Sequence, residues 1–259
     1  MNKKTIELVE EYNSQLKQSS DNLIELFEEV LDIFVIAHYC EENNECEKEY
    51  DSLFCNIHSN FKDGHNCIAC NLNDSNSLIQ NFLLQYKSFY DSKLTLTNFI
   101  MLLYLQVEIC NEYFNIMSIP ENYKLKHFQV FQKVKYWANF LKHPKGFMLV
   151  HHPNWTFEGR ISKYFPEAQL KKTNPFLDSN FIKKFYTGDK NNNELYKILI
   201  RKKDLQVEFP NPVNLITEFT EAQKKFAQII SNNEIVREML NDKTTLEEYF
   251  LDEENETSL

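Results

Sequence analysis

Glycine is nearly absent from this chain: 4 residues in 259, against 21 phenylalanines and 13 tyrosines. A chain so poor in the residue that enters left-handed backbone at no steric cost is badly equipped for tight hairpins and sheet corners. Long amphipathic stretches fill the intervals between the glycines. Together these features predict a mainly α protein rather than a sandwich or an α/β sheet. Gly64, Gly146, Gly159 and Gly188 also lie far apart. No phosphate-cradling P-loop, dinucleotide fingerprint or G-x-S-x-G elbow can be written from them. No histidine is followed by glutamate, so the H-E-x-x-H zinc-protease helix is absent too.

Periodicity places the helices. A first is expected over 5–16, and a second from Asn22, which has capping-box spacing to Glu25, to about Tyr39. One long bent helix is the alternative; a break, if there is one, is expected at the polar run 18–22. Two more helices are expected at Leu78 to Phe89 and Phe99 to Phe114, the latter apolar around most of its circumference and so central. Pro120 opens a helix expected from Glu121 to His143, where Pro144, lacking an amide hydrogen, stops it. The expected fold is an up-and-down helical bundle over 1–145, interrupted at 41–76 by a Cys/His-rich insertion. A basic α+β extension is expected over 146–259, with a strand at 147–150 and two strand-like runs around a basic turn in Tyr196 to Phe209. Pro212 then opens a last amphipathic helix that turns Leu215, Ile216, Phe219, Phe226, Ile229 and Ile230 inward. The N-terminus has no apolar core of signal-peptide type. The closest apolar run, Phe99 to Ile109, is broken by Gln106 and Glu108, so a soluble cytoplasmic protein with no membrane partner is expected.

In such a compartment six cysteines point to metal or free thiols before disulfides. The pattern is Cys55-Asn-Ile-His58, then, after eight residues that include Gly64, Cys67-Ile-Ala-Cys70. Each half is a two-residue knuckle, the spacing that lets two ligands grip one ion from a tight turn. Cys55, His58, Cys67 and Cys70 would make a closed tetrahedral structural zinc site, with His65 or Cys46 able to replace one ligand. The other reading is a loop with free thiols and a hydrogen-bonded histidine.

The net charge of −10 hides a bipolar chain. From Lys124 to Lys203 there are 17 Lys/Arg and 5 Asp/Glu, a net of +12, while the rest has 11 and 33, a net of −22. A basic middle of this size suits phosphate-backbone binding through counterion release. The residues expected to hold RNA or another nucleic acid are Lys126, Lys133, Lys142, Lys145, Arg160, Lys171, Lys172, Arg201, Lys202 and Lys203. Charges scattered over a solvated surface are the alternative.

Within that middle, Val130, Val134, Trp137 and Leu141 form an apolar helical stripe, while Lys135, Asn139 and His143 recur every four residues on another face. A solvated face that ends in a capping histidine would look the same. The stretch Ala138-Asn139-Phe140-Leu141-Lys142-His143 on the last long helix of a bundle resembles the HEPN signature, an arginine followed by a polar residue, three others and a histidine. The architectural resemblance covers about residues 20 to 145, and Asn139 and His143 are the matches in sequence. It implies a small helical bundle of the prokaryotic toxin–antitoxin and antiviral defence kind. It also implies a homodimer joining two motifs, with a protein partner from the same system. In its active form such a domain is a metal-independent endoribonuclease, with His143 as general acid/base and Asn139 as its polar companion. The arginine position holds Ala138, however, so the cation expected to stabilise the transition-state phosphate is missing. Lys135, one turn earlier on the Asn139–His143 face, is the residue expected to supply charge in its place, though as a point charge it cannot reproduce the guanidinium fork. His151 and His152 either join this site or form a hydrogen-bonded turn before Pro153. The sequence therefore supports a nucleic-acid- or partner-binding protein without full nuclease activity first, and an active endoribonuclease using His143 second.

Overall fold

The structure, a computed structural model, describes residues 3–29, 31, 60–61, 64–85, 93–152 and 175–231. Most of the expected helix end at 32–39, Cys46, Cys55, His58, Arg160, Lys171, Lys172 and the acidic terminus lie outside the described residues. Described are α1 (Lys3–Glu29), a two-residue pair β1 (Asn60–Phe61) and β2 (Gly64–His65), α2 (Ile68–Gln85), α3 (Lys93–Ile116), α4 (Glu121–His127), α5 (Gln129–Leu141) and α6 (Pro144–Met148). The chain continues through β3 (Phe176–Asp178), α7 (Ser179–Phe185), α8 (Glu194–Arg201), β4 (Gln206–Glu208) and α9 (Pro212–Ser231). The protein is a mainly helical bundle.

Five long helices form a closed ring: α1 packs on α2, α2 on α3, α3 on α5, α5 on α9, and α9 lies back along α1. A domain boundary at 145–146 would assign α9 to the extension, yet α9 takes its place between the first and fifth helices. Its expected inward residues are all buried in the common core. An aromatic cluster joins three of the helices. Phe114 of α3 lies 4.7 Å from Phe128 and 5.7 Å edge-on to Phe226 of α9, and Phe131 of α5 lies 5.7 Å from Phe219.

Several expected breaks and strands come out differently, each for a local reason. The run 18–22 does not break α1. Ser19 and Ser20 donate to the carbonyls of Gln15 and Leu16, so both hydroxyls are satisfied inside a continuous helix. They are buried where α1 meets α9, and Thr217 of α9 donates to Ser19 Oγ at 3.5 Å. The helix expected from Glu121 to His143 is two helices, α4 and α5. Phe128 leaves helical geometry (φ −123°, ψ 40°) and buries its ring among Tyr123, Phe114 and Phe131. Pro144 ends one helix and also begins the next, as the first residue of α6 after an extended His143. The strand expected at 147–150 is therefore helix up to Met148. In Tyr196 to Phe209 the first run is α8, capped by Asn193, whose side chain accepts from the Tyr196 amide. Only the second run is a strand, β4, antiparallel to β3 with Leu177 opposite Val207.

α3 is long and apolar enough to cross a membrane by length and composition alone. In the bundle it is a central helix, with Leu96, Phe99, Ile100, Leu103, Val107 and Phe114 buried. Within its core face, Gln106 donates to Asn76 Oδ1 at 2.8 Å and accepts from Ser75, both on α2. Cys110 faces Gln223 of α9, which donates to its sulfur at 3.5 Å, and burial pushes the thiol up to about 12.

Candidate functional site

The end of α5 is covered by a small unit built from β3, α7, α8 and β4. Trp137 packs 4.4 Å from Phe209, just past β4, and Phe140 stacks on Tyr186, just past α7, at 5.2 Å. Tyr186 in turn stacks on Tyr196 of α8 at 4.9 Å. Asn193 fixes the arrangement: besides capping α8, its amide donates to Tyr186 Oη at 3.1 Å and to the Asn139 carbonyl at 3.3 Å. Two of the four glycines serve this corner. A Cβ on Gly146 would meet the Phe140 carbonyl oxygen at 2.0 Å, and one on Gly188 would meet Tyr186 Oη at 2.4 Å.

His143 is half-buried between α5 and α6. Asp189 of the covering loop is its nearby carboxylate. The Asn192 amide, the Asn192 side chain and the Asn191 amide hold the Asp189 carboxyl below its usual range, and His143 acts in the same direction. Burial raises the Tyr186 hydroxyl, opposed by its bond to Asn193 and reinforced by Asp189. The corner thus gathers His143, Asp189, Tyr186 and Asn193 at the end of α5. The last three were not singled out by sequence reasoning. The available signal was Gly188, one of only four glycines, just ahead of the turn-forming run Asp189 to Asn193.

The other expected catalytic groups are engaged elsewhere. The Asn139 side-chain oxygen accepts from Lys142 Nζ at 2.7 Å, and Lys135 forms an ion pair with Glu108 of α3 at 3.5 Å. Ala138, at the position the HEPN signature gives to arginine, is fully buried in the core. His151 pairs its backbone with Phe176 and stacks on that ring at 5.0 Å, with Phe181 at 4.8 Å. His152 lies near Lys93; burial first and then the lysine charge lower its pKa. Lys93 donates to the Phe147 and Val150 carbonyls at 3.2 Å each, ending α6.

The expected phosphate contacts divide into two kinds. Lys133 is bound to Glu218 of α9, and Lys126, at the end of α4, has partners of its own. Lys142, Lys145, Arg201, Lys202 and Lys203 have no carboxylate partner among the described residues. Of the expected zinc ligands, Cys67 and Cys70 are described. Cys67 is buried just before α2, and the Cys70 amide, in the first turn of α2, donates to Cys67 Sγ at 3.3 Å. An amide aimed at sulfur suits a ligating thiolate, so this half of the pattern fits a metal. Among the described residues no three His, Cys, Asp or Glu side chains converge. No family model, curated protein or solved structure matches this chain.

Proposed function

We propose that this protein is a nucleic-acid-binding helical-bundle protein of a prokaryotic defence or toxin–antitoxin system, HEPN-like and without full nuclease activity. The observation that carries the binding reading is the set of cations without a carboxylate partner around the far end of α5, whereas Lys133 and Lys135 of the same helix are paired with Glu218 and Glu108. The system assignment rests on the HEPN resemblance, and so do the homodimer and a protein partner from the same system. The weakness of the catalytic set comes from Lys135 and the Asn139 side chain being already engaged, with alanine at the arginine position. The test is fluorescence anisotropy with a labelled RNA across a salt series. Binding at low salt whose logarithm falls linearly with log salt supports the reading, and no binding at low ionic strength removes it.

The second reading, a metal-independent endoribonuclease, is favoured by the carboxylate of Asp189 near His143. In this reading His143 moves the proton of the 2′-hydroxyl or of the leaving oxygen. Cleavage in EDTA that is lost in His143→Ala supports it; intact RNA across several substrates counts against it. We further propose that Cys55, His58, Cys67 and Cys70 hold one structural zinc, which would tie the start of α2 to the chain before it. Metal analysis should find about one zinc per chain, released in Cys67→Ser. Chelator-free protein that contains none ends that proposal.

A further inference from the structure

A concentration of unmatched positive charge among the described residues lies on α7 and α8. Between Ser179 and Asp204 there are seven cations, Lys183, Lys184, Lys190, Lys197, Arg201, Lys202 and Lys203, and three acids. Each acid is already engaged. Glu194 pairs with Lys197, Asp189 takes the amides of Asn191 and Asn192, and Asp204 accepts from Asn180 at 2.6 Å. Six cations therefore have no carboxylate among the described residues, and the fold brings together the ends of α7 and α8, which carry five of them. Lys183 Nζ donates to the carbonyl of Lys202 at 3.1 Å, which sets the last turn of α7 beside the end of α8. Asp204, in the left-handed region at φ 51°, turns the chain sharply after Arg201 to Lys203 and leaves all three exposed. Like charges held this close repel one another, so nothing in the fold itself rewards the arrangement.

An aromatic ring sits among them. Phe185 is 37 % exposed, with the Lys184 ammonium 5.1 Å from its ring centre and Phe181 behind it at 4.6 Å. Most of the described phenylalanines are buried, whereas this one is left partly at the surface beside cations. Base faces stack on such a ring only when they are unpaired, and the neighbouring ammonium groups then meet the phosphates on either side. Eight-residue α8 is only about 12 Å long, the span of a few nucleotides.

We infer that the α7–α8 face binds single-stranded nucleic acid, with Phe185 stacking a base and Lys183, Lys184, Arg201, Lys202 and Lys203 holding the flanking phosphates. This rests on the nucleic-acid reading above and places it on one surface with one strand form.

The experiment uses the full chain and three labelled probes: a 20-nucleotide uridine RNA, the thymidine DNA of equal length, and a 20-base-pair duplex. Phe185→Leu keeps the apolar contact with Phe181 but removes the ring face. It should weaken both single strands roughly five- to a hundred-fold at unchanged salt dependence, and leave the duplex unaffected. The double variant K202E/K203E should weaken single strands more and reduce the salt slope by about 1.4, two phosphates' worth. Lys17→Ala, far along α1, should change nothing. Thermal melting of each variant confirms that it is folded. Duplex bound as tightly as single strands, or single-strand affinity unchanged in Phe185→Leu, overturns the stacking site. Unchanged affinity and slope in K202E/K203E place the surface elsewhere while leaving nucleic-acid binding intact. Wild-type protein that binds none of the probes at low salt removes the nucleic-acid function itself.

Discussion

The five-helix ring and the small unit on its end handle polar groups in opposite ways. Inside the ring several buried polar side chains are answered. Gln106 meets Asn76 and Ser75, Gln223 meets Cys110, and Ser19 and Ser20 bond back to their own helix. On its surface Lys133 meets Glu218 and Lys135 meets Glu108. The end unit has short elements, hangs from α5 by Trp137, Phe140 and Asn193, and leaves Lys184, Arg201, Lys202 and Lys203 unmatched. Answered polar groups are concentrated in the first region, whereas unmatched cations are left in the second. The comparison also bears on the mean charge: Glu218 and Glu108 answer Lys133 and Lys135 on the ring, whereas in the end unit Lys197 alone of the cations has a carboxylate among the described residues.

Core and corner can be set against each other directly. Truncating Phe114→Ala, fully buried at the junction of three helices, should cost about 3–5 kcal/mol and lower the denaturation midpoint of the whole molecule. If the end unit unfolds separately at an unchanged midpoint, the ring is not what supports it. Gln106→Ala leaves Asn76 Oδ1 without its donor, while Ser75 keeps its bond to the Leu72 carbonyl, and should cost about 1–3 kcal/mol, again globally. Gln106→Leu should recover little, because the orphaned Asn76 oxygen remains. Asn193→Ala belongs to the other region. It removes the α8 cap and the tie to Asn139, so about 1 kcal/mol should be lost, read by hydrogen exchange as faster opening of residues 186–201 while α3 and α9 stay protected. Uniform loss of protection would mean that the two regions open as one. The smallest effect is expected at Lys133→Ala. Its ion pair with Glu218 is about half exposed on both sides, so chemical denaturation should show less than about 1 kcal/mol.

Much of the ring was legible in the sequence because burial there repeats with the helical period. α9, with Leu215, Ile216, Phe219 and Phe226 inward, is the clearest case. α2 begins at Ile68, earlier than expected, because the knuckle Cys67 to Cys70 overlaps its first turn and masks the apolar spacing. The turn after α3 was legible as a stop but not in its form. Ser118 sits in the left-handed region at φ 57°, where a glycine would be usual, closed by the Ile119 amide bonding to the Phe114 carbonyl. Less of the candidate site could be read. His143 and the basic run Arg201 to Lys203 were found as residues. Asp189, Tyr186 and Asn193 were not, because they come to the end of α5 from some fifty residues further on, and no periodicity links the two.

Local patterns thus determined which segments are helical, which faces are apolar and that the middle of the chain is basic, since these depend on neighbours one to four residues away. Tertiary contacts decided the rest. Phe128 left helical geometry to reach the aromatic core, and Ser19 and Ser20 stayed in a helix because α9 packs over them. Which lysines would be neutralised was decided the same way. Lys133 and Lys135 lie opposite carboxylates of α9 and α3, and Lys202 lies beside Lys183. A charge has the same meaning in every sequence; whether it is answered depends on what the fold places within a few ångströms of it.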